Sequence, residues 1–327
     1  MNKHIRSYLC PILGSLISSA LATACSSDDI EPAIVVNTPL EFIACGLGID
    51  VESISGSRAD ASINPWESLC NDSVAIQYGG KIWKYDIVPD EGENITTARL
   101  TSEDPIMIKS SSGRPEIIGR VPYTDRLSGD TLIWNCNDPS DNCNDLLLAY
   151  SDDIIKAGRK LNFYHTQVKI VINIRDTPFL RTLPFSWDVY LPNTDMTAEY
   201  DVSRTGNRIS LSRIKSYNPA TVSVRRNDVA NRVEWDTGTE QAAFSYETII
   251  VAQSKATDQT FINIRVGSQL SYNLSLSDFA SGSSFEFKSG NVYTFNIAVN
   301  GKAKDDVVIT SDIIPWLSND TNYSLTI

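Results

Sequence analysis

The chain has 327 residues and a formal net charge of −12, from 28 Lys and Arg against 40 Asp and Glu. This acidic balance argues against a nucleic-acid-binding surface, and the length suits two domains. There are only two histidines, His4 and His165, which argues against histidine-rich metal sites and against Ser-His or Cys-His catalysis.

The first residues predict an export signal. Lys3 and Arg6 precede an apolar stretch over residues 8–24. This stretch is too short and too interrupted to cross a bilayer as a stable helix. We therefore predict that residues 1–24 form a signal peptide that is removed on export.

Cys25 follows a run of small residues and resembles the cysteine of a bacterial lipobox, although Ala22 stands where such motifs most often have Leu. The resemblance implies that Cys25 is acylated (palmitate among the expected chains), that residues 25–32 form a tether, and that the lipid holds the protein to the outer membrane at the cell surface. The alternative is simple secretion, because residues 22–24 also fit an A-x-A cleavage site.

Period-two alternation of apolar and polar residues dominates the rest of the chain. Each alternating run fits a strand with one buried and one wet face. The clearest runs cover residues 168–175, 262–266, 270–276 and 293–299. Turn-forming residues lie between them and no convincing helical period occurs. The sequence therefore predicts an all-β fold.

The spacing of these runs predicts two β-sandwich domains in tandem. An apolar run stops at Asp176-Thr177-Pro178, and we place the domain boundary there. The N-terminal sandwich is then predicted over residues 33–177 and the C-terminal sandwich over residues 178–327.

Both ends of the mature chain carry candidate exchangeable strands. An apolar strand region over residues 34–49 is followed by a polar loop over residues 53–60. At the other end, residues 322–327 alternate strictly, with large side chains on one face at Tyr323, Leu325 and Ile327. We predict that this segment donates a strand to another chain. The alternative is that it pairs within its own sandwich.

Several segments, taken in order, resemble the fimbrillin family, the lipoprotein-derived subunits of type V pili. No single motif is specific, and the order and spacing carry the resemblance. The segments are residues 145–149, 161–170, 250–253, 262–266, 270–276, 290–295 and the stretch from Ile309 to Ile313-Ile314-Pro315-Trp316. The resemblance implies two transthyretin-like β-sandwiches in tandem, a structural or adhesive role in a fimbrium, no enzymatic activity and no cofactor. It also implies other pilus subunits as partners, in a homo- or hetero-polymer.

The same resemblance implies processing by an arginine-specific protease in a loop after the first strand. Arg58-Ala59, in the polar loop over residues 53–60, stands where that cut is expected. The cut would free the first strand and leave an apolar groove. The alternative is a surface arginine without a role.

Four cysteines remain after removal of Cys10 and acylation of Cys25, and three disulfide connectivities are open to them in an oxidising compartment. They are Cys45, Cys70, Cys136 and Cys143. A disulfide between Cys136 and Cys143 would close a small ring and leave Cys45 to pair with Cys70. That second bond would tether the first strand after a cut at Arg58, which suits an anchor or terminal subunit better than a stalk subunit.

No catalytic, cofactor or metal site is predicted. The acidic loop over residues 135–145 lacks the glycine and the distal glutamate of an EF-hand, and adjacent carboxylates such as Asp152-Asp153 point to opposite faces of a strand. A hydrolase is the weakest alternative. The stronger alternative is a surface lipoprotein that binds a glycan or another host ligand and never polymerises. It would require an exposed aromatic platform from the six tryptophans, at positions 66, 83, 134, 187, 235 and 316.

Overall fold

The computed structural model describes most of the chain between residues 37 and 315. The described ranges are 37–47, 66, 69, 72–92, 95–109, 115–123, 130–136, 145–175, 177–182, 187–205, 208–226, 242–268, 270–278 and 280–315.

The described residues form β-strands joined by turns, which confirms the predicted all-β class. The strands of the first half are β1 (Asn37–Pro39), β2 (Phe42–Cys45), β3 (Ser73–Tyr78), β4 (Lys81–Pro89), β5 (Ala98–Thr101), β6 (Met107–Lys109), β7 (Ile117–Val121), β8 (Thr131–Asn135), β9 (Leu147–Ser151) and β10 (Lys160–His165). Those of the second half are β11 (Val168–Arg175), β12 (Trp187–Thr205), β13 (Arg208–Arg226), β14 (Ala242–Ile250), β15 (Gln253–Ala256), β16 (Thr260–Val266), β17 (Leu270–Ser275), β18 (Ser284–Phe287), β19 (Asn291–Val299) and β20 (Val307–Pro315).

The helical content of the described residues consists of short 3₁₀ turns, at Leu180–Thr182, Leu276–Asp278 and Lys304–Asp306. A helix with the length and apolarity needed to cross a membrane is absent from the part of the chain that the structure describes.

The first half folds into a closed barrel with strand order β10-β2-β5-β4-β3-β7-β9. Neighbouring strands are antiparallel, except that β2 runs parallel to β10. Alternate side chains of these strands point inward and form one core, which includes Phe42, Val74, Tyr85, Leu100, Leu147, Leu161 and Phe163. β1 lies outside the barrel and pairs with β6.

The second half forms a sheet with strand order β17-β16-β12-β13-β14-β11-β19-β20, and β8 pairs with β12. Its core includes Ile170, Ile172, Trp187, Val189, Tyr200, Tyr246, Ile264, Tyr272, Phe295 and Ile297. β12 and β13 are each 19 residues long and form an extended hairpin. The four alternating runs predicted from the sequence correspond to β11, β16, β17 and β19.

After β8 pairs with β12 of the second sheet, the chain returns to the barrel at β9, and it leaves the barrel for good between β10 and β11. β10 ends at His165 in the barrel, whereas β11 begins at Val168 and pairs with β14 and β19 in the second sheet. The sheet change therefore falls before the interruption at Pro178 on which the predicted boundary rests. Pro178 shows where a strand ends but not which sheet that strand joins, so the sequence could not place the sheet change. The division into domains 33–177 and 178–327 stays a prediction.

β9 is buried on both faces and packs against both cores. Leu147 and Ala149 belong to the barrel core, whereas Leu148 and Tyr150 belong to the core of the second sheet. This explains why the sequence around β9 is a continuous apolar run rather than an alternating one.

Candidate strand-exchange site

β2 is an interior strand of the barrel. On one side Phe42 pairs with Leu100 of β5, and on the other Ala44 pairs with Leu161 of β10. Both edges of β2 are therefore occupied by backbone pairing. Loss of this strand would leave unpaired N–H and C=O groups on β5 and β10 together.

The segment around β2 contributes a row of inward side chains to the barrel core. Leu40, Phe42, Ala44 and Leu47 are all 3% exposed or less. The ring of Phe42 packs edge-on against Tyr85, with 5.1 Å between the ring centroids. Burial of each large apolar side chain contributes about 1.5–3 kcal/mol, so hydrophobic packing holds this segment in the barrel.

A buried hydroxyl fixes the start of the segment. Tyr85 Oη donates to the main-chain oxygen of Leu40 at 2.9 Å and accepts from the main-chain N–H of Ile106 at 2.9 Å. The N–H of Leu40 donates to the oxygen of Ile106 at 2.8 Å. Burial raises the pKa of Tyr85, so the hydroxyl keeps its proton and remains a donor at neutral pH.

The end of β2 lies close against β10. The Cys45 thiol donates to Asn162 Oδ1 at 2.8 Å. Gly46 has φ +98°, and a Cβ added there would lie 2.6 Å from the main-chain oxygen of Phe163. Both the backbone conformation and the close approach require glycine at this position.

The region predicted as the first strand, residues 34–49, contains β1 and β2. The predicted lipidation site Cys25 and the predicted cleavage site Arg58-Ala59 lie outside the described residues. So does the predicted donor segment with Tyr323, Leu325 and Ile327. These three assignments stay predictions.

The predicted disulfides also stay predictions. Cys45 and Cys136 carry thiols in the structure, whereas their predicted partners Cys70 and Cys143 lie outside the described residues. Cys136 is buried, and burial, with the nearby Asp145 carboxylate adding to it, raises the pKa of its thiol to about 12.

The described tryptophans do not form one exposed platform. Trp66 and Trp187 are buried in the two cores. Trp83 is half-buried with Lys81 Nζ 4.8 Å from its ring centroid, and Trp134 is half-buried with the Arg120 guanidinium 5.2 Å from its ring centroid. These side chains act as core and interface anchors, so they lend no support to the glycan-binding alternative.

Some partners could not be anticipated from the sequence. His165 Nδ1 lies 2.6 Å from Asp145 Oδ2, and both side chains are mostly buried. Asp145 lies at the start of the segment leading into β9 and His165 ends β10, so only the antiparallel pairing of these strands brings them together. Among the described residues, no group of three or more His, Cys, Asp or Glu side chains is placed to hold a metal ion.

The fold and the sequence resemble known proteins. A family model described as fimbrillin-like matches residues 82–316. No curated protein matches the chain.

Two solved structures, both provisionally described as cell adhesion proteins, share the fold. The protein from Bacteroides uniformis is 15% identical, with a TM-score of 0.56, and the match covers 85% of this chain and 98% of that one. The protein from Bacteroides ovatus is 14% identical, with a TM-score of 0.51, and the match covers 87% of this chain and all of that one. Since the family model spans most of the chain, including the second sheet and most of the barrel, the chain belongs to the fimbrillin-like family.

Proposed function

We propose that this protein is a structural or adhesive subunit of a cell-surface pilus and that it assembles by β-strand donation. The observation that carries the proposal is the interior position of β2, between β5 and β10 in the barrel. Membership of the fimbrillin-like family supports the pilus assignment.

Removal of the first strand creates the acceptor groove. A cut at Arg58-Ala59 separates β1 and β2 from the rest of the chain, so that only non-covalent contacts retain them. Departure of β2 exposes apolar side chains of the barrel core, among them Tyr85, Leu100, Leu161 and Phe163. An incoming strand restores the backbone pairing on both sides and buries these side chains again.

The donor is a C-terminal strand of a neighbouring subunit. In this chain the donor segment is residues 322–327, with Tyr323, Leu325 and Ile327 as the side chains that enter a groove. It follows β20, which lies at the edge of the second sheet beside β19. The partners are therefore other pilus subunits, and the outer membrane holds the chain through lipid at Cys25. No bond-making chemistry is required of the barrel.

A disulfide between Cys45 and Cys70, one of the connectivities open to the four cysteines, would restrict this exchange. Cys45 is the last residue of β2, so a bond at this position would keep the first strand attached after a cut at Arg58. A subunit with that bond would suit an anchor or terminal position in the pilus better than a stalk position.

Fibre formation on cells tests the proposal. Cells that lack their own copy of the chain are supplied with the unmodified chain, with Arg58→Ala, or with a chain lacking residues 322–327, and surface fibres are counted by immunogold electron microscopy. We expect both variants to lose fibres, whereas Arg225→Ala, at an exposed arginine of β13, leaves them unchanged. Normal fibres from both variants would contradict strand donation by this chain.

A further inference from the structure

We propose that the barrel groove selects its incoming strand by side-chain size and rejects the C-terminal segment of its own chain. The groove fits a strand with two large alternate side chains followed by a small one and a glycine. The strand that enters it therefore comes from a different pilus subunit. This inference rests on the proposed strand exchange.

The inward side chains of β2 and its flanking residues show what size of side chain the groove holds at each position. Leu40 and Phe42 fill two large positions, and Ala44 fills the next position on the same face. All three side chains are 1% exposed or less. The third position therefore holds only a methyl group in an otherwise filled core.

The Ala44 position is closed from both sides. Ala44 pairs with Ala98 of β5 and with Leu161 of β10, and both neighbours are fully buried. Cores are packed about as densely as organic crystals, so additional methylene groups force neighbouring side chains or the backbone to move.

The aromatic side chain of Phe163, near the Ala44 position, is packed on two sides. Phe163 lies one position further along the inward face of β10 and packs edge-on against Trp66, with 5.4 Å between the ring centroids. The ring also packs against Gly119 on β7, so closely that a Cβ added to Gly119 would lie 2.9 Å from the ring. Because the ring is held between β7 and Trp66, it cannot turn away to enlarge the groove.

Gly46, two residues after Ala44, lies at a position that excludes every side chain. Gly46 has φ +98° and its backbone approaches the backbone of Phe163 so closely that a Cβ would lie 2.6 Å from the oxygen and 2.9 Å from the nitrogen. These contacts are with backbone atoms, which cannot swing aside as a side-chain tip can. A strand that follows the path of β2 through the whole groove needs glycine here.

The C-terminal segment has a different profile. Its alternating sequence carries three large side chains at every second position, Tyr323, Leu325 and Ile327. If the segment enters the groove in the same direction as β2 with Tyr323 at the Leu40 position, Ile327 falls at the Ala44 position. If it enters in the opposite direction with Ile327 at the Leu40 position, Tyr323 falls at the Ala44 position.

A shift of two residues away from the Ala44 position does not give a match in either direction. In the opposite direction it brings Thr321 to the Ala44 position and Asn319 to the Gly46 position, where any Cβ would meet the backbone of Phe163. In the direction of β2 it puts Leu325 and Ile327 at the two large positions, and residues 322–327 then supply neither the small side chain nor the glycine that the groove requires. The segment is therefore suited to a groove of another subunit, and the groove of this chain to another strand.

The test uses the mature chain with Cys25→Ser, and with the recognition sequence of a site-specific protease inserted between Ser57 and Arg58. The chain is cut under reducing conditions and incubated with fluorescent peptides, and their insertion is followed by anisotropy and native gel electrophoresis. The first peptide has the sequence of residues 37–48 with Cys45→Ser. The second adds Ala44→Leu to it, the third adds Glu41→Leu as an exposed control, and the fourth has the sequence of residues 316–327.

We expect the first and third peptides to insert and the second and fourth to bind at least about tenfold more weakly, because overpacking of the Ala44 position opposes their insertion. Equal binding of all four peptides would overturn size selection while leaving strand exchange intact. If no peptide inserts, the groove does not accept strands, and both this inference and the proposed function are wrong.

Discussion

The hydroxyl of Tyr85 donates a hydrogen bond of 2.9 Å to the main-chain oxygen of Leu40. Tyr85 belongs to β4, a strand that stays in the barrel when the first strand leaves. The bond therefore links the permanent part of the barrel to the exchangeable part, and it is fully buried. This contact is one of those that must break before the groove opens.

Tyr85→Phe should loosen the first strand without altering the barrel core. The substitution removes the buried partner of the Leu40 oxygen and of the Ile106 N–H, at a cost of about 1–3 kcal/mol. We expect lower stability in chemical denaturation and faster amide hydrogen exchange over residues 40–45. Tyr78→Phe, at a half-buried tyrosine of β3, is the control, and equal losses in both variants would show that the hydroxyl of Tyr85 has no special role.

Ala44→Leu should destabilise the intact chain, because the added methylene groups have no space between β5 and β10. The expected loss is about 1–3 kcal/mol of unfolding free energy, measured by denaturant titration. Ile43→Leu changes a half-buried position on the outer face of the same strand and should have little effect. A neutral result for Ala44→Leu would mean that the groove can widen, against the proposed size selection.

The contact between Arg120 and Trp134 should couple the barrel to the second sheet. Arg120 lies on β7 of the barrel, and its guanidinium is 5.2 Å from the ring centroid of Trp134 on β8. Burial lowers the pKa of Arg120 to about 10, which still leaves it charged at neutral pH. A double-mutant cycle with Arg120→Met and Trp134→Leu should give a coupling energy of about 1 kcal/mol.

The pair formed by Lys81 and Trp83 offers a comparison for that cycle. Lys81 Nζ lies at a similar distance, 4.8 Å, from the ring centroid of Trp83. Because Lys81 is exposed, water screens the interaction. We expect a smaller coupling energy there. A coupling energy at Arg120 and Trp134 no larger than at this exposed pair would argue against a cation–π link between the sheets.

Lys255 should make stability rise with pH above neutrality. Its Nζ donates to the main-chain oxygens of Pro192, at 3.4 Å, and Asn193, and burial lowers its pKa to about 8. The unfolded chain keeps this proton up to pH about 10.4, so it binds more protons than the folded chain between these values. Unfolding free energy should therefore increase across that window by about 3 kcal/mol.

The measurement is the unfolding free energy of the unmodified chain and of Lys255→Met between pH 8 and pH 9.5, below the ordinary range of tyrosine ionisation. The difference between the two chains should change with pH, because only the unmodified chain carries this lysine. Parallel pH profiles would show that the pKa of Lys255 is the same in the folded and unfolded states.

Period-two patterns were sufficient to predict the fold class and several strands. The residues of β11, β16, β17 and β19 were recognised from alternation alone. The partners of those strands were not, because β11 joins β14 and β19, which follow much later in the sequence. Alternation reports which face of a strand is buried and carries no information on its neighbours.

The same limit applies to the candidate site. The apolar character of residues 34–49 indicated a strand, but its interior position follows from closure of the barrel between β5 and β10. The hydroxyl of Tyr85 gives no local signal, since its two partners, Leu40 and Ile106, lie far from it in sequence. The length of β12 was also hidden, because Pro192 and Asn193 mark a turn in sequence where the structure has a bulge within the strand.

Cross-linking in assembled fibres can show whether a strand from another subunit replaces β2. Arg99 of β5 is exposed and pairs with Ile43 of β2, so a photo-crosslinking amino acid at position 99 reports which strand lies beside β5. Before assembly the captured peptide should come from residues 37–47 of the same chain. In fibres on cells we predict capture of a peptide from a different subunit, whereas capture of residues 37–47 alone would contradict strand donation.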